Sequence, residues 1–298
     1  MQDHQPLKIG LVTPVLTLLP RAHASWEVTG TIGDVCAIAV AADELGIHHL
    51  TCSEHVAIPT EIAATRGSRY WDPLATFGYL AAHTTRIKFA THVLVLGYHH
   101  PLAIAKRYGT LDQISNGRVV LGVGVGSLNE EFDLLDAPFH DRGARADDAL
   151  RALRAAFGNR TPNYQGDHYS FNDFIVEPCA MQQDVAIWIG GRTARSLRRA
   201  VELADGWVPF GITTTEAATM LNDQSHTDAW HSRITPVEVW LQAEHAIDPL
   251  DDPAGTTIEL ARLREAGATG TNLRVVHHSA AHYIDQIATL VSLNDRAA

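Results

Sequence analysis

The sequence predicts a (β/α)8 barrel, in which eight parallel strands alternate with helices along 298 residues. Short runs of apolar, β-favouring residues alternate with longer helical patterns from one end of the chain to the other. Most of the short runs are continuously apolar, which is typical of parallel strands buried on both faces. Eight βα units close a barrel, whereas six would form an open doubly wound sheet. The length fits one barrel, so we expect one domain over residues 1–298.

The apolar runs define the predicted strands. In chain order these are Lys8–Thr13, His49–Cys52, Ile87–Leu94, Val119–Gly122, Ala186–Gly190, Trp207–Pro209, Val237–Ala243 and Asn272–Val276.

Helical spacing and end signals define the predicted helices. Asp72 before Pro73 is a good start signal, and Gly46 is a good stop signal. The predicted helices are Asp34–Leu45, Pro73–Ala82, Pro101–Ser115, Thr193–Ala204, Thr214–Leu221, Thr257–Ala266 and Ala280–Leu293. The segment Ser127–Phe171 is longer than an ordinary connection. We expect it, with a helix over Arg142–Phe157, to be an insertion after the fourth strand that forms a lid or an interface.

The composition is that of an ordinary soluble protein, with 46% hydrophobic and 19% charged residues. The net charge of −11 argues against nucleic-acid binding, since phosphate contacts need clustered Lys and Arg. No apolar run is long enough to span a membrane, and the first residues do not resemble a secretory signal. The three cysteines lack CxxC spacing, which predicts neither disulfides nor a zinc site. We therefore expect a cytoplasmic protein that acts on a small molecule.

Two glycine-rich segments follow predicted strands. The first, Gly122–Ser127, resembles a dinucleotide fingerprint, but Ser127 stands where its third glycine should be. Bare backbone at Gly124 and Gly126 would let a flat ligand approach closely, although glycines needed only for barrel packing explain the pattern equally well. The second segment, Gly190–Ser196, joins a strand directly to a helix.

The second segment has the features of an anion site. A glycine-rich turn at a helix N-terminus offers unpaired N–H groups to a phosphate. The candidate binding residues are Gly190, Gly191, Arg192, Thr193 and Arg195. With Arg198 and Arg199, four arginines lie within eight residues of an acidic chain. The alternative is a solvated helix face with an ordinary N-cap.

Ser53-Glu54-His55 comes directly after the second strand and would face the barrel mouth. The imidazole of His55 suits proton exchange, and Glu54 could orient His55 or anchor a substrate. A loop histidine satisfied by hydrogen bonds is the alternative. Although the chain has 17 histidines, none of them forms a strong metal motif, and no metal is predicted.

In order along residues 8–210, the sequence resembles the luciferase-like monooxygenase superfamily, and within it the actinobacterial oxidoreductases that use the deazaflavin coenzyme F420. The resemblance is carried by Ser53–His55, Tyr70–Leu74, Thr84–Ile87, His100–Ala103, Leu111–Arg118, Leu121–Gly126, Glu130–Phe132, Pro138–Phe139, Arg142–Gly143, Trp188–Gly191 and Ala204–Trp207.

This resemblance implies that a cofactor ring lies at the end of the third strand, at Thr91, His92 and Val93, where relatives carry a non-proline cis peptide that corresponds to His92-Val93. It places the cofactor phosphate at Gly124–Ser127 and Gly190–Arg195, and His55 beside the hydride-accepting carbon. Related sugar-phosphate dehydrogenases have a glutamate where this chain has Ser127. Their proton donor is therefore missing here. Relatives often form homodimers.

The predicted function is hydride transfer between coenzyme F420 and an organic substrate that the sequence does not identify. One alternative is an FMN-dependent monooxygenase with the same fold. Another is a non-catalytic carrier or sensor of flavin or deazaflavin, in which replacing His55 and Glu54 would change nothing.

Overall fold

The computed structural model describes residues 6–296, and its main sheet is closed. The strands are β1 (Lys8–Leu11), β2 (His49–Cys52), β3 (Lys88–Thr91), β4 (Leu94–Val95), β5 (Val119–Gly124), β6 (Tyr164–Gln165), β7 (Ser170–Phe171), β8 (Ala186–Gly190), β9 (Gly206–Val208), β10 (Glu238–Leu241) and β11 (Gly270–Leu273). Eight of them pair in parallel in the order β1-β2-β3-β5-β8-β9-β10-β11, and β11 pairs with β1. The predicted (β/α)8 barrel is confirmed.

Helices surround this barrel. They are α1 (Ile32–Glu44), α2 (Ala63–Arg66), α3 (Pro73–Ala81), α4 (Pro101–Ser115), α5 (Asn129–Leu134), α6 (Arg142–Ala156), α7 (Ala194–Leu203), α8 (Thr214–Ser225), α9 (Asp228–His231), α10 (Pro253–Glu265) and α11 (Ala280–Arg296). Short 3-10 helices cover Ser25–Val28, Thr60–Ile62 and Leu96–Tyr98. No helix in the described range is long and apolar enough to cross a membrane.

Several element boundaries differ from the prediction, including those of the third strand, the last strand and helix α10. The third strand is divided into β3 and β4 around His92 and Val93. The last strand spans Gly270–Leu273 rather than Asn272–Val276, and its end is predicted too late because Val275 and Val276 continue the apolar run. Helix α10 begins at Pro253 rather than Thr257, since Asp252 accepts a hydrogen bond from Gly255 as the N-cap.

The helix predicted as part of an insertion is a regular element of the barrel. Helix α6 packs against α4 on one side and α7 on the other, so it occupies the fourth position in the outer ring. Its buried face is formed largely by alanine and leucine, which allow close helix packing. The parts of Ser127–Phe171 that are additional to a minimal βα unit are α5 and the β6–β7 hairpin.

The N-terminal end of the barrel is filled by aromatic side chains. The rings of Trp188 and Trp240 lie 4.6 Å apart inside the barrel, in a cluster separate from the main core. Both indole N–H groups donate to one carboxylate oxygen of Glu238, at 3.1 and 3.2 Å. The other oxygen of Glu238 accepts from Lys8 at 2.5 Å. Since three donors compensate the carboxylate of Glu238, its charge can remain at the end of an apolar cluster.

Two neighbouring histidines at this end predict a loss of stability in acid. Burial, with the nearby Lys88 and Lys8, lowers the pKa of His48 to about 4, and burial holds the pKa of His49 well below its ordinary value. The unfolded chain binds these protons near pH 6.5, whereas the folded protein resists them. The free energy of unfolding should therefore fall between pH 6.5 and pH 4, by about 3 kcal/mol for His48 alone.

Urea unfolding measured across this pH range tests the prediction. His48→Gln should flatten the pH dependence, because glutamine takes up no proton. His226→Gln, at an exposed histidine, is the matched control and should leave the dependence unchanged. Parallel pH curves for the wild type and His48→Gln would contradict the assignment.

Candidate functional site

The C-terminal ends of the strands bring the predicted site segments to one mouth. The peptide bond between His92 and Val93 is cis, so the expectation drawn from the resemblance is confirmed. The hydroxyl of Ser53, after β2, donates to the carbonyl of His92 at 2.7 Å. Further out, Arg66 donates to the hydroxyl of Ser127 at 3.3 Å. The loops after β2, β3 and β5 are thereby tied together.

Val93 forms an apolar bed between two strands that lack side chains at this level. A Cβ added at Gly124 would lie 2.8 Å from one methyl carbon of Val93, and one added at Gly190 would lie 2.6 Å from the other. Both distances are shorter than carbon–carbon contact allows. The two glycines are therefore required by the packing of Val93, and they leave bare backbone on either side of it.

The two residues before Val93 have different surroundings. Thr91 is buried, and its hydroxyl donates to the carbonyl of Gly122 at 2.6 Å, so that hydroxyl has no further hydrogen to donate to a ligand. The ring of His92 lies beside the amide of Gln242, with 3.4 Å between their nitrogen atoms. Burial lowers the pKa of His92 to about 4, which keeps its imidazole neutral at physiological pH.

His55 is held by a carboxylate that the sequence analysis did not assign to it. Its Nδ1 lies 2.7 Å from Oε2 of Glu131, at the start of the fourth βα connection. The ring of Tyr70 packs against the imidazole edge to face, with centroids 4.5 Å apart. The imidazole is thus fixed from two sides, while its Nε2 has no protein partner among residues 6–296.

The carboxylate of Glu131 is buried, accepts three hydrogen bonds and contacts Nδ1 of His55. Oε1 accepts from the backbone N–H groups of Val56 and Ala57 at 2.5 and 3.2 Å, and Oε2 accepts from Tyr98 at 2.6 Å and lies 2.7 Å from Nδ1 of His55. Burial alone would raise the pKa of Glu131, but the bonds from His55 and Tyr98 lower it overall. The side chain is therefore ionised at neutral pH.

Glu54 does not orient His55, contrary to one of its predicted roles. Its Oε2 accepts from the backbone N–H of Val95 at 2.7 Å, and its Oε1 lies 2.7 Å from Nε2 of His99. The side chain is only 9% exposed, so no free carboxylate oxygen is directed into the mouth. Glu54 joins the loop after β2 to β4, which is a structural task.

The glycine-rich turn after β8 leads into α7 as predicted. Thr193 is the N-cap, and its hydroxyl accepts from the backbone N–H of Ser196 at 3.3 Å. Arg192 and Arg195 are exposed, and neither is in an ion pair within the described part of the chain. These two guanidinium groups and the N-terminal N–H groups of α7 are available to an anion.

The predicted cluster of four arginines is reduced to two in the structure. Arg199 is buried and paired with Asp147 of α6, so it joins two helices instead of facing the mouth. Arg198 lies one turn along the exposed face of α7, with Glu202 at 3.9 Å.

The other segment predicted to bind phosphate, Gly124–Ser127, is stabilised by Arg142. Gly126 has a φ of +78°, which favours glycine, and its carbonyl accepts from Arg142 at 3.1 Å. Ser127 is exposed at the rim.

A cavity of about 170 Å³ opens between the loops after β9 and β10, and its wall includes Gln242 and Arg274. No cluster of three potential metal ligands occurs in residues 6–296.

The comparison with known families agrees with this geometry. The profile of the luciferase-like monooxygenases matches residues 13–288. The chain belongs to the luciferase-like monooxygenase family. An uncharacterised protein of Mycobacterium tuberculosis is 30% identical over 186 residues, covering 58% of this chain and 64% of the relative. An F420-dependent glucose-6-phosphate dehydrogenase of Amycolatopsis mediterranei is 28% identical over 179 residues, covering 59% of this chain and 52% of the enzyme.

The alignments of this luciferase-like protein thus span about half to two thirds of these relatives. Solved structures cover it more fully. An F420-dependent secondary alcohol dehydrogenase, in complex with an F420–acetone adduct, has a TM-score of 0.72 at 12% identity and covers 97% of this chain and 99% of its own. The oxygenating component of 3,6-diketocamphane monooxygenase from Pseudomonas putida, in complex with FMN, has a TM-score of 0.70 at 16% identity, with 96% and 97% coverage. At these identities the two structures establish a shared fold.

Glu131 is the site residue that the sequence analysis did not assign. It lies in Glu130-Glu131-Phe132, one of the stretches that carry the resemblance, so its position was visible but its partner was not. Seventy-six positions separate it from His55, and only the closed barrel brings the two together.

The packing of Val93 predicts how substitutions at the barrel mouth change the free energy of unfolding. Gly190→Ala should lower the free energy of unfolding by about 1–3 kcal/mol, because the new methyl group overlaps Val93. Val93→Ala removes the overlapping methyl groups, so the double variant should lose less than the sum of the single variants.

Urea unfolding of the three variants gives the coupling energy directly. Gly78→Ala in α3 is the control, since its added Cβ meets nothing within 4 Å, and it should be neutral or stabilising. If the losses of unfolding free energy in the Gly190 and Val93 variants are strictly additive, the contact between the two positions does not determine the packing of the mouth.

Proposed function

We propose that this protein is an oxidoreductase that transfers a hydride between coenzyme F420 and an organic substrate. One observation carries the proposal. The apolar bed at Val93, flanked by the bare backbone of Gly124 and Gly190, lies at the same barrel end as the unpaired Arg192 and Arg195. A flat heterocycle that carries phosphate needs this combination of an apolar surface and nearby cations.

The residues present fit such a cofactor. Arg192, Arg195 and the first N–H groups of α7 would hold the phosphate, and the glycine-flanked Val93 would support the ring. When bound, coenzyme F420 accepts or supplies a hydride. The names of the F420-dependent dehydrogenase relatives support this choice of cofactor.

His55 is the proton-exchanging residue in this proposal. Its Nδ1 faces the carboxylate of Glu131, so its Nε2 is left to receive the proton of a substrate hydroxyl. The site has no second acid in the expected position, because Ser127 replaces the glutamate of related dehydrogenases and Glu54 is engaged with Val95 and His99. His55 therefore has to exchange the proton without help from either position.

An FMN-dependent monooxygenase is the second candidate. It is favoured by the fold shared with the FMN complex of the camphane monooxygenase component. One phosphate would also be satisfied by Arg192 and Arg195. A cytoplasmic location and a homodimer remain predictions from the sequence and the resemblance.

Titration of the purified protein with oxidised F420 and with FMN tests the cofactor. We expect clearly tighter binding of F420. Arg192→Gln and Arg195→Gln should each weaken it about tenfold or more, because each removes a charge-assisted contact. Arg198→Gln is the matched control on the exposed face of α7 and should leave the affinity unchanged.

The outcomes separate the candidates. Tighter binding of FMN would overturn the F420 proposal and direct substrate screening towards oxygen-dependent reactions. Equal losses for Arg192→Gln and Arg198→Gln would show a general charge effect instead of a phosphate site. Absence of binding by either cofactor would refute the function proposed from the mouth.

A further inference from the structure

The two ring nitrogens of His55 have different surroundings, because only one of them contacts Glu131. The proposed proton exchange depends on this difference. A neutral imidazole carries its proton on only one nitrogen, and the hydrogen bond made by the other decides which. Here Nδ1 lies 2.7 Å from a carboxylate oxygen, while Nε2 has no partner in the described chain. Only one of the two tautomers therefore presents a lone pair to the mouth.

The surroundings of Glu131 leave it no role except that of an acceptor. Its two oxygens face two backbone N–H groups, which can only donate, and the hydroxyl of Tyr98. Glu131 is 1% exposed, so water does not compete for these positions. A buried carboxylate with this many donors remains charged, and a charged carboxylate requires a hydrogen on Nδ1 of His55.

The backbone arrangement makes the pair rigid. Val56 and Ala57 directly follow His55, so Glu131 binds the same loop that carries the imidazole. Tyr98 comes from the turn after β4, and its ring packs edge to face against Phe132 at 4.9 Å. Three connections of the barrel thus meet at one carboxylate.

We propose that Glu131 is a positioning residue that holds His55 in the tautomer with hydrogen on Nδ1 and a free lone pair on Nε2. This inference rests on the proposed function for its catalytic meaning, since it makes His55 ready to accept a proton from a substrate hydroxyl. The tautomer itself is a property of the protein without cofactor.

The first experiment therefore uses the protein without cofactor. Nitrogen-15 NMR of protein labelled at histidine, with the His55 signals identified by their loss in His55→Asn, reports which ring nitrogen carries hydrogen. We expect hydrogen on Nδ1 and none on Nε2 of His55 at neutral pH. Hydrogen on Nε2, alone or together with hydrogen on Nδ1, would overturn the proposal, whatever cofactor the protein binds.

The second experiment changes the partner while keeping its shape. In Glu131→Gln the amide oxygen can still accept from Val56 and Ala57, but its NH2 group then faces Nδ1 and donates to it. The tautomer of His55 should invert, with hydrogen moving to Nε2. Glu130→Gln, at the exposed neighbour in the same helix, is the matched control and should leave the NMR signals of His55 unchanged.

Kinetics with F420 and a substrate hydroxyl compound connect the tautomer with catalysis. Glu131→Gln should lower kcat about 10²–10⁴-fold, the range of general-base catalysis, with KM and the Kd for F420 unchanged. A loss confined to KM, or one matched by Glu130→Gln, would contradict a positioning role.

The two sets of measurements distinguish the possible failures. If the wild type does not bind F420 but shows hydrogen on Nδ1, the proposed function fails and the tautomer assignment stands. If it binds F420 and Glu131→Gln retains the wild-type tautomer, the positioning role fails alone. If Glu131→Gln does not fold, the wild-type NMR measurement still decides the tautomer.

Discussion

Val93 lies with one methyl group against Gly124 of β5 and the other against Gly190 of β8, and the shape of the mouth depends on this contact. Side chains at either glycine would occupy the place of Val93. Because these two positions lack side chains, only backbone and the apolar side chain of Val93 occupy a space that larger residues would otherwise fill. The turn after β8 then leads directly into α7, so an apolar surface is followed by the positive end of a helix. A few small residues therefore place an apolar surface next to the positive end of a helix.

Much of the architecture could be predicted because its signals are local. Pro101–Ser115 was placed at its real bounds, since Pro marks the first turn and Asn116-Gly117 ends the helix. The strand His49–Cys52 was also placed at its real bounds. The start of α10 follows the same rule, because Asp252 before Pro253 has the same form as Asp72 before Pro73. The local signal thus marks the start at Pro253, ahead of the predicted Thr257.

The errors at the site concern side-chain partners, which local patterns do not encode. Glu54 was paired with His55 because the two are adjacent in sequence, yet consecutive residues direct their side chains apart. The partner of His55 comes from a later connection, and the buried partner of Arg199 comes from α6. A cluster of like charges in sequence shows only that charges are close. Which ones remain free depends on the neighbouring helix, and here α6 neutralises one of the four.

The aromatic cluster at the opposite end of the barrel bears on the order of events at the mouth. Trp188 and Trp240 are almost fully buried, and with Lys8 and Glu238 they close the barrel axis at the N-terminal ends of the strands. Within residues 6–296, these side chains separate the mouth from solvent at the N-terminal end, and the mouth opens on the C-terminal side. When two ligands share a chamber with one opening, the deeper one has to enter first and leave last. The order in which ligands bind to such a barrel and leave it is therefore set by how deep each one lies along the barrel axis.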